Sequence, residues 1–173
     1  MQYSLADSRN KFATEVQENI SFLTSMNKAA IKKRISIDTL YAFDNLIRNA
    51  DRGQQKSNLL ITPKDAYLID HEFILKPEEI CGIDIDKFQI DDKFTKHHIF
   101  FQYLRKASKS NKAHYFSEFS EYYRTLSLNA LVPYFNQLHN EGFPNRKEEI
   151  LQWLNQIKNN CVKFEGHLKA SLQ

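Results

Sequence analysis

Glycine is the residue this chain nearly does without. It has four, Gly53, Gly82, Gly142 and Gly166, among 173 residues, where the usual share of roughly 7% would give about 12. Neither G-x-G-x-x-G nor G-x-x-x-x-G-K-[ST] can be written on positions so far apart. A self-contained glycine-loop nucleotide site of either kind is therefore excluded. The length suits one domain, 1–173, with a sizeable core, and is short for two.

Apolar residues make up 42% and aromatic residues 13%, enough to bury a core and to argue against disorder. The first 25 residues contain no apolar run of the signal-peptide kind. The longest apolar stretch, 126–138, is interrupted by Ser127, Asn129, Pro133 and Asn136, so the chain reads as one that makes no membrane contact. Cys81 and Cys161 form no C-x-x-C pair and are expected as free, buried thiols of a cytoplasmic protein.

Charge is uneven along the chain. Residues 65–92 hold nine acidic and two basic side chains, between mildly basic ends. An acidic centre argues against simple nucleic-acid binding, which asks for one continuous basic face, and suits a site for divalent cations. The basic run 96–112, with Phe100, Phe101 and Tyr103 interleaved, reads as an amphipathic helix with a solvated basic face. His71, His97, His98 and His114 have no spacing that marks a metal site.

The pattern predicts a mostly α fold with one β-hairpin. Residues 1–35 read as N-terminal helices, with Phe12, Val16, Ile20 and Leu23 spaced by three and four. Ser36 is placed to cap a helix over 37–50 whose buried face is Ile37, Leu40, Tyr41, Phe43, Leu46 and Ile47. A polar loop follows. NLLI and AYLID flank a proline turn and read as a hairpin, pairing Thr62 with Ala66, Leu60 with Leu68 and Asn58 with Asp70. Residues 71–95 read as irregular and acidic. The rest, 95–173, reads as helical over 95–108, 116–139 and 145–170, with Pro133 expected to kink or split the middle helix.

Three polar residues stand out within 36–75: Asp51 in the loop after a helix, Asn58 opening the hairpin and Asp70 closing it. Phosphoryl transfer to a hydroxyl needs such a set. One carboxylate positions the acceptor and takes its proton, while an amide and a second carboxylate hold Mg²⁺ against the phosphates.

The segment FDNLIRNADRGQQKSNLLITPKDAYLIDHE resembles the catalytic segment of the HipA-like kinases, within the protein-kinase-like fold. The matching positions are Phe43-Asp44, Leu46-Ile47, Asn49, Asp51-Arg52, Asn58-Leu59-Leu60 and Leu68-Ile69-Asp70-His71-Glu72. Phosphoinositide kinases carry a related segment. The resemblance implies a C-lobe whose catalytic aspartate is Asp51 and whose metal-holding pair is Asn58 and Asp70. Asn49 and Arg52 are implied as supporting, cofactor-side residues of the loop, with ATP and Mg²⁺ as cofactors. Asp51 and Asn58 are seven residues apart, against five in H-R-D-x-x-x-x-N.

No strand-borne lysine of the V-A-I-K kind precedes Asp51. The expectation is thus a C-lobe without its N-lobe, completed by a partner chain or a dimer, transferring phosphate to a protein Ser/Thr or a small hydroxyl compound. The alternative is an inactive homologue acting as a protein-binding or inhibitory module, on a kinase or in a defence or toxin system. Either way, the face that meets an N-lobe should be left apolar and open.

Overall fold

The computed structural model describes residues 21–22, 31–32 and 34–173. In chain order it has β1 (Ser21–Phe22), α1 (Ile37–Leu46), β2 (Leu59–Ile61), β3 (Ala66–Leu68), α2 (Pro77–Ile80), α3 (Asp92–Thr95), α4 (Phe101–Arg105), α5 (Lys109–His114), α6 (Ser117–Thr125), a 3₁₀ turn (Leu128–Leu131), α7 (Val132–Asn140), α8 (Lys147–Asn159) and α9 (Cys161–Ala170). The chain is mostly helical with one small antiparallel sheet, ordered β1-β2-β3. Among the described residues no helix is long and apolar enough to cross a membrane.

The sheet corrects two expectations. Most of the N-terminal helix expected within 1–35 lies outside the described residues, but Ser21 and Phe22 are strand. They pair with Ile61 and Leu60 and so cover an edge of the hairpin that would otherwise leave its amides and carbonyls unpaired. The hairpin register is also one residue from the expected one: Ile61 faces Ala66, Leu60 faces Tyr67 and Leu59 faces Leu68. The cause is Thr62. Its hydroxyl accepts the amide of Asp65 at 2.9 Å and its own amide donates to the Asp65 carbonyl at 2.9 Å. That draws Thr62 into a four-residue turn and out of the ladder.

Helix α1 begins where expected, after Ser36, but the Ser36 hydroxyl donates to Asp38 at 2.8 Å and does not cap a backbone amide. It ends at Leu46, four residues earlier than expected. The Arg48 amide donates to the Asn45 carbonyl and the Asn49 amide to that of Asp44, with Arg48 left-handed at φ 57°. This is a Schellman closure, with an arginine where glycine is usual. Burial of the Arg48 stem accompanies it: the guanidinium lies 3.9 Å from the Phe94 ring centre and donates to Asp91 at 3.1 Å.

Behind the sheet and α1 the helices build the core. Helix α6 packs on α1, α8 and α9. Trp153, Phe164, Phe100, Phe116, Ile157 and Leu168 are essentially water-free. The Trp153 indole donates to the Leu46 carbonyl at 2.8 Å, joining α8 to an open carbonyl at the end of α1. The helix expected over 116–139 is split into α6, the 3₁₀ turn and α7, and Pro133 sits in the first turn of α7, where its missing amide costs nothing, so it starts that helix and does not kink it. The helix expected over 145–170 divides at Asn160, and the one expected over 95–108 is cut to α4 and the last residue of α3. Cys161 is buried as expected, whereas Cys81, just past α2, is exposed.

An apolar groove of about 310 Å³ runs between Phe43, Leu68, Phe119, Tyr122 and Leu126. Tyr122 is 67% exposed beside it.

Candidate functional site

The site is built on a buried carboxylate. Asp44, on α1, is 1% exposed and takes four protein contacts. Its Oδ1 accepts the Asn49 amide at 2.9 Å. Its Oδ2 accepts Arg52 Nε at 2.5 Å and His98 Nε2 at 3.1 Å, and its backbone carbonyl takes the Asn49 N–H in the helix closure. His98 Nδ1 accepts the Phe100 amide, so the ring proton sits on Nε2 and is donated to Asp44. Burial pushes the Asp44 carboxyl up. The hydrogen bonds from His98 and Arg52 and the Arg52 charge outweigh that and hold it below the ordinary carboxylate range.

Arg52 carries this anchor to the hairpin. Its Nη1 donates to the Asn58 carbonyl at 2.6 Å and to that of Ser57 at 3.2 Å, and its Nη2 meets His71 Nε2 at 3.1 Å. One guanidinium therefore grips both ends of the hairpin, beside Asn58 and beside Asp70. Burial, then the nearby Arg52 charge, pushes the His71 imidazole down, which suits a neutral ring accepting a hydrogen bond from arginine. Asn49 completes the frame: its Oδ1 accepts the Asp51 amide at 3.0 Å. Asn49 and Arg52, expected on the cofactor side, are 3% and 1% exposed. Asn49 bonds to Asp44 and the Asp51 amide, and Arg52 to Asp44 and the Ser57 and Asn58 carbonyls, so both brace the loop from behind.

On that frame the structure brings three residues together. The Asn58 side-chain amide donates to Asp51 Oδ2 at 2.8 Å and to the Asp51 carbonyl at 3.1 Å. Lys56 Nζ donates to Asp70 Oδ2 at 2.6 Å and to Asp51 Oδ2 at 3.3 Å. The expected Asn58–Asp70 pairing does not exist in the ladder, where Asn58 faces Ile69 through a 3.1 Å bond. The two side chains still reach one cluster because both residues leave the strand, with left-handed φ of 46° at Asn58 and 60° at Asp70. Asn and Asp tolerate that conformation better than other non-glycine residues.

The cluster opens to solvent. The Asp51 side chain is 40% exposed and that of Asp70 30%. A cavity of about 430 Å³ adjoins it, bounded by Ala50, Asp51, Gly53, Gln54, Lys96 and His97. Two carboxylates and an amide are hard oxygen donors of the kind Mg²⁺ takes, and such an ion keeps waters for its remaining positions. A cation already fits between the carboxylates, since the Lys56 ammonium sits there. Among the described residues no group of three or more His, Cys, Asp or Glu could hold a metal ion.

Sequence reasoning missed three participants. Asp44 lay inside the quoted motif but is a charge on a helix face that reads as core. His98 was weighed only as a metal ligand. Lys56 passed as part of a polar insert. A buried charge on an apolar helix face was the usable signal, because such a charge needs a partner.

Set against family models, curated proteins and solved structures, the chain matches none of them.

Proposed function

We propose that this chain is the C-lobe of an ATP-dependent phosphotransferase of the HipA-like kind, acting with N-lobe elements from a partner. The observation that carries this reading is the meeting of Asp51, Asn58 and Asp70 on one frame. In the reading Asp51 positions the acceptor hydroxyl and accepts its proton. Asn58 and Asp70 hold Mg²⁺, which when bound neutralises charge on the phosphates. The acceptor is a protein Ser/Thr or a small hydroxyl compound. Asp44, Asn49 and Arg52 keep the loop in shape, which matters because catalysis of this kind is positioning plus electrostatics.

The test is binding and transfer by the purified chain, alone and with an N-lobe partner. The wild type is expected to bind Mg·ATP, and Asp70→Ala to lose that binding. Asp51→Asn is expected to keep binding and lose phosphate transfer by at least about 100-fold, the low end for a general base. A wild type that binds no nucleotide under either condition overturns the reading.

A second reading rests on a different observation. The open apolar groove beside Phe43, Leu68 and Tyr122 favours an inactive homologue that works as a protein-binding or inhibitory module. That reading expects the Asp51 and Asp70 variants to behave as the wild type does.

A further inference from the structure

We propose that the Lys56 ammonium is a built-in competitor for the divalent cation: it occupies the space between Asp51 and Asp70, and must swing out before a metal enters. The proposal rests on the reading of Asp51, Asn58 and Asp70 given above and adds a control to it.

The geometry leaves no room for both cations. Lys56 Nζ takes one oxygen from each carboxylate, at 2.6 and 3.3 Å. Mg²⁺ needs such oxygens at about 2.0–2.1 Å, which would set two cations side by side on shared ligands. Charge points the same way. Two carboxylates and the ammonium leave one negative charge; two carboxylates and a divalent ion leave none; all together leave a net positive charge at close range.

Lys56 can also move. Its backbone is pinned, because its carbonyl accepts the Gly53 amide at 3.0 Å. Its side chain is 61% exposed, and the adjoining cavity of about 430 Å³, which Lys56 itself borders, has space for the displaced chain. Of the other charged groups near it, Arg52 is committed to Asp44 and to backbone carbonyls, and Lys96 to Asp92 at 2.5 Å. Neither takes over the two carboxylates.

The experiment titrates the full chain with Mn²⁺ alone, at fixed ionic strength, and follows free Mn²⁺ by electron paramagnetic resonance. Lys56→Met is expected to bind Mn²⁺ at least about tenfold more tightly than wild type, since it removes a competing charge at contact distance. Lys56→Gln should do the same, and Lys56→Arg, which keeps the cation, should match wild type. Adding Asp70→Asn to Lys56→Met should abolish the gain. If Lys56→Met and Lys56→Gln bind no more tightly than wild type while Asp70→Asn still removes binding, the competition is overturned and the metal role of Asp70 stands. If no variant binds Mn²⁺, the metal reading falls and the competition with it.

Discussion

Two regions of this molecule are held together by different means. From Asp44 to Leu75 polar side chains share the interior: Asp44, Asn45, Arg48, Asn49, Arg52, Ser57 and Asn58 are all buried, beside Leu46, Ile47, Leu59 and Ile61. From Phe101 onward Ser120 is the one buried polar residue among those described, and the core is aromatic and aliphatic. Backbone strain divides the same way. Arg48, Asn58, Asp70 and Leu75 are left-handed in the first region, and only Phe116 among non-glycine residues in the second. Each such residue costs about 1–2 kcal/mol unless its side chain eases it. The helical half is stable through burial. The site segment is a strained shape that a hydrogen-bonded network and the helical half hold in place, as is common where a fold serves chemistry.

Three substitutions put that contrast at risk. Asp44→Ala has the largest expected effect. It leaves Arg52 buried without its counter-charge and strips Asn49 and His98 of their acceptor, so the loss should be about 3–5 kcal/mol by urea unfolding. A loss below about 1 kcal/mol would mean that the network does not hold the segment. Trp153→Phe comes next and tests the joint between the regions. It leaves the buried Leu46 carbonyl without its donor and opens a small void, for about 2 kcal/mol. A calorimetric unfolding transition that stays whole, at a lower temperature, is the expected form of that loss.

The smallest effect belongs to the helical half. Burial pushes the Glu165 carboxyl up, but Lys169, Ser120 and Ser117 outweigh it and hold it below its ordinary value of 4.5. A folded value below the unfolded one stabilises the protein above about pH 4.5, and that stability is lost as pH falls through the folded value. Glu165→Gln should therefore cost under about 1 kcal/mol at neutral pH and flatten the acid limb of the stability profile. An unchanged acid limb would show that Lys169, at 2.8 Å, lends Glu165 nothing.

Particular residues show how much was legible beforehand. The apolar spacing of Ile37, Leu40, Tyr41 and Leu46 was enough to place α1, and the turn residues between NLLI and AYLID were enough to place a hairpin. Asp51, Asn58 and Asp70 could be singled out because their order along the chain is itself a chemical pattern. The register could not be read, since it turned on whether the Thr62 hydroxyl would fold back on Asp65. Nor could the end of α1, since Arg48 closes the helix in a conformation that its own propensity disfavours and that packing on Phe94 accompanies. His98 lies 54 residues from Asp44, and no local pattern joins them.

Scarce glycine ties these strands together. The sequence by itself determined that no glycine loop would be present, that the fold would be mainly helical, and that Asp51, Asn58 and Asp70 stand in an order worth singling out. Those are properties of composition and of near neighbours. Only the tertiary structure decided where the chain turns left-handed without glycine, which charges are buried to hold those turns, and that Lys56 stands between Asp51 and Asp70. The physical reason is that a strained turn or a buried charge is stable only when groups distant in sequence meet it.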